Sequence, residues 1–155
     1  MASGNKHLKS LRKRIGDLLN AERRPWCWEL GHFQAPIFIQ EPGETPIRPY
    51  MLVCIDTASQ AIMGSDLLRD PPSPQDLLSL LVVSIENPLT GSGLSILPES
   101  VRLDDAAVFE LIRSELEQLG VKVELVKRLS ALAKFKRIVE REWFCRQVGY
   151  SGGEN

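Results

Sequence analysis

The sequence predicts a single α/β domain with a mixed β-sheet, helices on both of its faces and a basic N-terminal helix, and three stretches carry that reading. Tyr50-Met51-Leu52-Val53-Cys54-Ile55 is an unbroken apolar run ending at Asp56, the pattern of a strand buried on both faces. Ser73-Pro74-Gln75-Asp76 opens a helix with a capping hydroxyl, a proline at the first helical position and an acid in the first turn. Val121 to Val126 alternates as a half-buried strand does. A length of 155 residues suits one domain with a core of its own.

Taken in order, residues 1–24 carry the apolar stripe Leu8, Leu11, Ile15, Leu18 and Leu19, which predicts a basic amphipathic helix. The α/β domain spans 25–148. Trp26 to Leu30 and Pro36-Ile37-Phe38-Ile39-Gln40 read as a leading pair of strands, with Glu41 to Pro46 as a turn. Trp26 and Trp28 share one face of an extended segment, and core or edge packing is favoured over a stacking platform for bases. Past Asp56, Thr57 to Gln60 turns the chain and Ala61 to Gly64 returns as the second arm of a hairpin.

The helix after Ser73 is apolar almost all round through Ile85, which predicts cover on more than one side, and it ends at Pro88. A loop at Thr90 to Gly93 leads to a short strand, Ser100 to Leu103, which stops at Asp104-Asp105. A second helix starts there, with Val108, Leu111, Ile112, Leu116 and Leu119 at helical spacing and Gly120 as its cap. Leu129, Leu132, Phe135, Ile138, Val139 and Trp143 mark a basic C-terminal helix over 129–147, and 149–155 reads as a flexible tail.

The net charge of −1 hides a segregation. Residues 1–24 hold seven basic side chains against Asp17 and Glu22, residues 127–147 hold seven against Glu140 and Glu142, and the segment between is acidic. Three readings follow. The basic helices dock on the acidic core, or they present Lys9, Arg12, Lys13, Arg14, Lys134, Arg137 and Arg141 to nucleic acid, or they meet a protein partner, a second copy included. The sequence pI of about 6.1 weighs against a dedicated nucleic-acid binder. No run is long and apolar enough for a membrane span, and no signal peptide opens the chain, so the expected place is the cytoplasm. Cys27, Cys54 and Cys145 are odd in number and lack metal-ligand spacing. Gly91-Ser92-Gly93 lacks the lysine of a phosphate loop.

"LVCIDTASQAIMGSDLL" followed by "SVRLDDAAVFELIRSELEQLGVKVELV" resembles the ribonuclease H-like superfamily, nearest to the catalytic cores of retroviral integrases and bacterial transposases. Trp28-Glu29, Arg48-Pro49-Tyr50, Asp56 and Pro72-Ser73-Pro74 are also similar to an uncharacterised bacterial domain family, over residues from about Trp26 to Leu132. The first resemblance implies a mixed sheet and two Mg²⁺ or Mn²⁺ ions held by acids, which activate a water or hydroxyl against a phosphodiester. It places Asp56 as the first acid, Asp104 or Asp105 as the second and Glu140 as the third. The sequence departs from that pattern at Asp105-Ala106-Ala107, which enters a helix directly, so Asp104 or Asp105 equally reads as an N-cap. Glu140 lies about 16 Å along its helix from Leu129.

The expectation is therefore a non-catalytic binding or regulatory module without a cofactor, engaging a protein or nucleic-acid partner through its basic terminal helices. The alternative is a Mg²⁺-dependent nuclease or DNA strand transferase using Asp56, Asp104 or Asp105, and Glu140.

Overall fold

The longest strand of the molecule grows from the Trp-Cys-Trp-Glu-Leu stretch: β1 (Glu22–Gln34) runs for 13 residues. The computed structural model describes the backbone of residues 2–89 and 93–153 and the side chains of 7–89 and 93–143. Pro25, which has no amide proton to donate, falls where the pairing of β1 shifts register, between Arg24 and Cys27. After Pro25 the strand alternates, with Trp28 and Leu30 in one core cluster and Phe33 in another.

The remaining strands are β2 (Tyr50–Asp56), β3 (Ile62–Leu68), β4 (Ile96–Leu103) and β5 (Lys122–Leu125), in the sheet order β3-β2-β1-β4-β5. The first three form an antiparallel meander. β4 lies parallel to β1, with Trp28 opposite Val101, and β5 lies parallel to β4. β1 is thus the central strand, and the apolar β2 is its neighbour.

Three strand expectations are corrected. Pro36 to Gln40 forms no strand beyond a single bridge between Ile39 and Ile47, because prolines at 36, 42 and 46 deprive this arm of the donors a ladder needs. The returning strand reaches Leu68 rather than Gly64, and β4 begins at Ile96, four residues before Ser100.

Helices α1 (Ala2–Asp17), α2 (Pro74–Glu86) and α3 (Ala106–Leu116) cover one face, and α4 (Ser130–Gly153) packs on the other. Ser73 and Asp76 close a reciprocal capping box at the start of α2, whose Leu77, Leu78, Leu81, Val82 and Ile85 are buried between the sheet, α1 and α3. Gly64 lets this helix approach β3, since a Cβ there would meet the Ser84 Oγ at 2.2 Å. A single 3₁₀ turn follows α3 and ends at Gly120, whose φ of 70° is the left-handed cap the sequence suggested.

The basic N-terminal helix docks on this core through Leu11, Ile15 and, in the 3₁₀ turn after it, Leu18, all buried, whereas Leu19 is half exposed. Its last basic expectation ends early, as Glu22 to Arg24 already belong to β1. Arg12 Nε donates to both oxygens of Glu115 on α3 at 3.0 and 3.1 Å, and Arg14 Nε donates to Glu86 on α2 at 3.0 Å. The acidic core is therefore answered by α1 itself. At the other end, Leu129 just before α4 and Ala131 and Leu132 in its first turn are buried and Phe135 is partly buried, but Ile138 is 47% exposed. Helical backbone continues to Gly153, through the segment read as a tail from Gly149; residues 154–155 lie outside the described residues, as do 90–92 of the expected loop.

Candidate functional site

Asp56 closes β2 and its carboxylate serves the hairpin. Its Oδ2 accepts from the backbone N–H and the hydroxyl of Ser59, both at 2.8 Å, and Gln60 completes the turn at a φ of 63°. The register pairs Asp56 with Trp28, so both point to the α1–α2–α3 face. Asp56 Oδ1 and Trp28 Nε1 are each buried without a hydrogen-bond partner.

Asp105 is the N-cap of α3, its Oδ1 accepting from the N–H groups of Ala107 at 2.9 Å and Val108 at 3.1 Å. Asp104 follows Leu103 in the exposed bend beyond β4, where it borders hollows toward both faces of the sheet. Asp56 lies two strands away from it. Three residues along the strands and two strand spacings separate their Cα atoms by about 14 Å. Glu140 sits on the exposed side of α4, 3.9 Å from Lys136. Among the described residues no three His, Cys, Asp or Glu side chains converge as metal ligands. The acids the resemblance singled out do not fit a pair of divalent ions, whose ligands must lie within a few ångströms of one another.

What gathers at the carboxyl ends of β1, β4 and β5 is different. A cleft of about 200 Å³ opens there, lined by His32 and Phe33 from β1, Asp104 after β4, and Lys127, Arg128, Leu129, Leu132, Ala133 and Lys136 from the β5–α4 junction. Strand carboxyl ends are where open α/β sheets place their ligand crevices. A larger hollow of about 390 Å³, with Asp17, Asn20 and Glu22 on its wall, lies at the amino ends of β1 and β4. The smaller cleft is the better candidate, because Lys127, Arg128 and Lys136 meet the carboxylate of Asp104, from a separate segment, on its wall.

Its foundation is Glu29. This side chain is 1% exposed on the α4 face of β1, and its Oε1 accepts the Leu132 N–H at 2.9 Å, so a strand glutamate caps the first turn of α4. Gly31 beside it has no Cβ, which would stand 2.6 Å from Leu132 Cδ2 and 2.8 Å from Leu129 Cδ1. Together these two residues seat α4 against the sheet and hold Lys127 and Arg128 at the rim.

The remaining expected residues are dispersed. Arg12 and Arg14 are ion-paired, and their pKa values are pushed up chiefly by hydrogen bonds to Glu115 and Glu86. Lys9 and Lys13 are exposed on α1, while Lys134, Arg137 and Arg141 are exposed on α4. Trp28 is fully buried and Trp26 half buried against it, their ring centroids 6.5 Å apart, which is the packing the sequence favoured. Sequence reasoning missed Glu29, His32, Lys127, Arg128 and Lys136 as a set. The available signal was Lys127-Arg128 directly after a strand end.

No helix of the described residues is long and apolar enough to cross a membrane. No curated protein matches the chain. A family model does, over residues 14–140, a span from the last turn of α1 to the middle of α4. The chain therefore belongs to the family of the domain of unknown function DUF6930.

Proposed function

We propose that this domain is a cytoplasmic, non-catalytic binding module on a ribonuclease H-like frame, which engages a protein or nucleic-acid partner through its basic C-terminal helix. Support for the frame is the sheet order β3-β2-β1-β4-β5, with three antiparallel strands followed by two parallel ones. The observation that carries the loss of catalysis is the employment of the acids. Asp56 closes a turn, Asp105 caps a helix, and among the described residues no third acid joins either of them or Asp104. No metal-assisted step is derived from such a set.

Two of the four α1 cations offered to a partner, Arg12 and Arg14, are paired while Lys9 and Lys13 are not, so the proposed binding surface centres on the C-terminal helix. Arg12 and Arg14 hold α1 to the core, whereas Lys127, Arg128, Lys134 and Arg137 have no carboxylate partner among the described residues. Unpaired cations are the ones whose counterions a polyanion can displace. Free thiols at Cys27 and Cys54 suit a reducing compartment.

The test is a thermal-unfolding series with Mn²⁺ and Mg²⁺ on the wild type and Asp56→Asn, joined to a salt-dependent titration with a labelled oligonucleotide and with an acidic peptide. The expected result is no metal-dependent rise in either protein, and binding of one polyanion that weakens when Lys134, Arg137 and Arg141 are neutralised. A metal-induced rise in the wild type that Asp56→Asn abolishes would overturn the non-catalytic reading.

A further inference from the structure

The basic side chains of the domain fall into two groups. Arg12, Arg14, Arg24, Arg69 and Arg113 each stand within 4 Å of a carboxylate. Lys127 and Arg128, like Lys9, Lys13, Lys134, Arg137 and Arg141, do not, and these two stand side by side on the wall of an open cleft. Lys136 faces the same cleft, with Glu140 at 3.9 Å as its nearest carboxylate. The one acid on that wall, Asp104, is exposed and makes no hydrogen bond or ion pair among the described residues. Glu29 beneath the floor is turned into the backbone of α4, where its Oε1 accepts the Leu132 N–H.

A cleft of this composition has ends of different chemistry. Arg128 offers a planar fork of donors and Lys127 a compact ammonium, the pairing that suits an oxyanion with several equivalent oxygens. Asp104 can only accept, which suits hydroxyl donors. Phe33, Leu129, Leu132 and Ala133 give an apolar floor. The volume of about 200 Å³ falls below the range of roughly 300–1,000 Å³ that encloses a whole drug-sized ligand, so the occupant is small or enters by one end.

The geometry points to a phosphate site: Lys127 and Arg128 hold the phosphate of a hydroxyl-bearing phosphoester, and Asp104 accepts from the hydroxyls of the group that carries it. This deepens the proposed function, since it rests on the basic α4 end as the working surface. The same phosphate chemistry can come from a free sugar phosphate or from the backbone of a nucleic acid, and the two arms of the test separate them.

The full chain, labelled with ¹⁵N, is titrated at constant ionic strength with inorganic phosphate, ribose 5-phosphate and a short single-stranded oligonucleotide. Saturable amide shifts confined to residues 31–33, 103–105 and 126–133 are expected with ribose 5-phosphate, at an affinity about tenfold above that for inorganic phosphate. Lys127→Gln with Arg128→Gln, both exposed positions, should lose at least about tenfold for either anion, and Asp104→Asn should erase only the advantage of the sugar. Saturation of the same amides by the oligonucleotide alone upholds the site and assigns its phosphate to a polymer. Shifts spread over Lys9, Lys13 and Arg137, no saturation by any probe, or an affinity unmoved in the double variant would overturn it. Oligonucleotide binding that survives the double variant but falls with Lys134, Arg137 and Arg141 would sink the cleft while leaving the binding-module reading in place.

Discussion

The backbone N–H of Leu132 donates to Glu29 Oε1 at 2.9 Å, tying the first turn of the last helix to the central strand across 103 residues of chain. A buried donor and a buried carboxylate satisfy each other there, and the loss of either leaves the other stranded. Glu29→Ala is expected to cost about 2–4 kcal/mol in urea unfolding, from the orphaned amide and the vacated volume together. Glu29→Gln keeps an accepting oxygen and should cost less than half as much. Equal losses in the two variants would show that charge, and not hydrogen bonding, seats the helix.

The glycines divide by what a methyl group would meet. Gly31→Ala drives a Cβ into Leu132 and Leu129 and should destabilise by about 1–3 kcal/mol, with the largest amide shifts at the start of α4. Gly16→Ala meets nothing within 4 Å on a helix and should stabilise by about 0.5–1 kcal/mol. Paired denaturant curves read the opposite signs.

Asp105→Ala removes the N-cap of α3 and should lower stability by about 1 kcal/mol. The decrement is expected to be the same with millimolar Mg²⁺ as with a chelator. A decrement that grows with Mg²⁺ would make Asp105 a metal ligand after all.

Burial pushes the Cys54 thiol up to about 12, with the Asp56 charge adding to the rise and a hydrogen bond with Ser84 opposing it. The folded pKa lies above the reference value of 9.0, so the stability this thiol contributes is complete below pH 9 and is lost as pH rises toward 12. Unfolding free energy should fall in that window by up to about 1.4 kcal/mol per pH unit, and Cys54→Ala should flatten the slope. At pH 8 a thiol reagent should modify the half-buried Cys27 and spare Cys54 in the native protein.

Neutralising Arg12 together with Arg14 should leave the salt dependence of polyanion binding unchanged, because those guanidiniums already face Glu115 and Glu86. Neutralising Lys134 with Arg137 should lower the slope by roughly two charges' worth. Equal effects of the two pairs, measured by anisotropy across a salt series, would return α1 to the binding surface.

Local chemistry explains what was legible in the sequence. The capping box at Ser73 and Asp76, the Asp105 cap, the left-handed Gly120 and the apolar β2 each depend on neighbours a few residues away, and each stands where the sequence placed it. The sequence placed a strand only over Trp26 to Leu30 of β1, and the seat that Glu29 gives to α4 depends on Leu132, which only the fold brings beside it. The cleft was hidden for the same reason. Its lining comes from three segments, and only the parallel register of β1, β4 and β5 brings His32, Asp104 and Lys127 to one end of the sheet.

The central place of β1 also orders the birth of the domain. The meander of β1, β2 and β3 can close from contiguous chain, but the second edge of β1 finds its partner only when Ile96 to Leu103 has been made, some seventy residues later. Until then a ribosome-bound chain carries a strand with one row of amides and carbonyls open to any passing edge. Slowing translation through the α2 segment should therefore raise aggregation more than slowing it after Leu125.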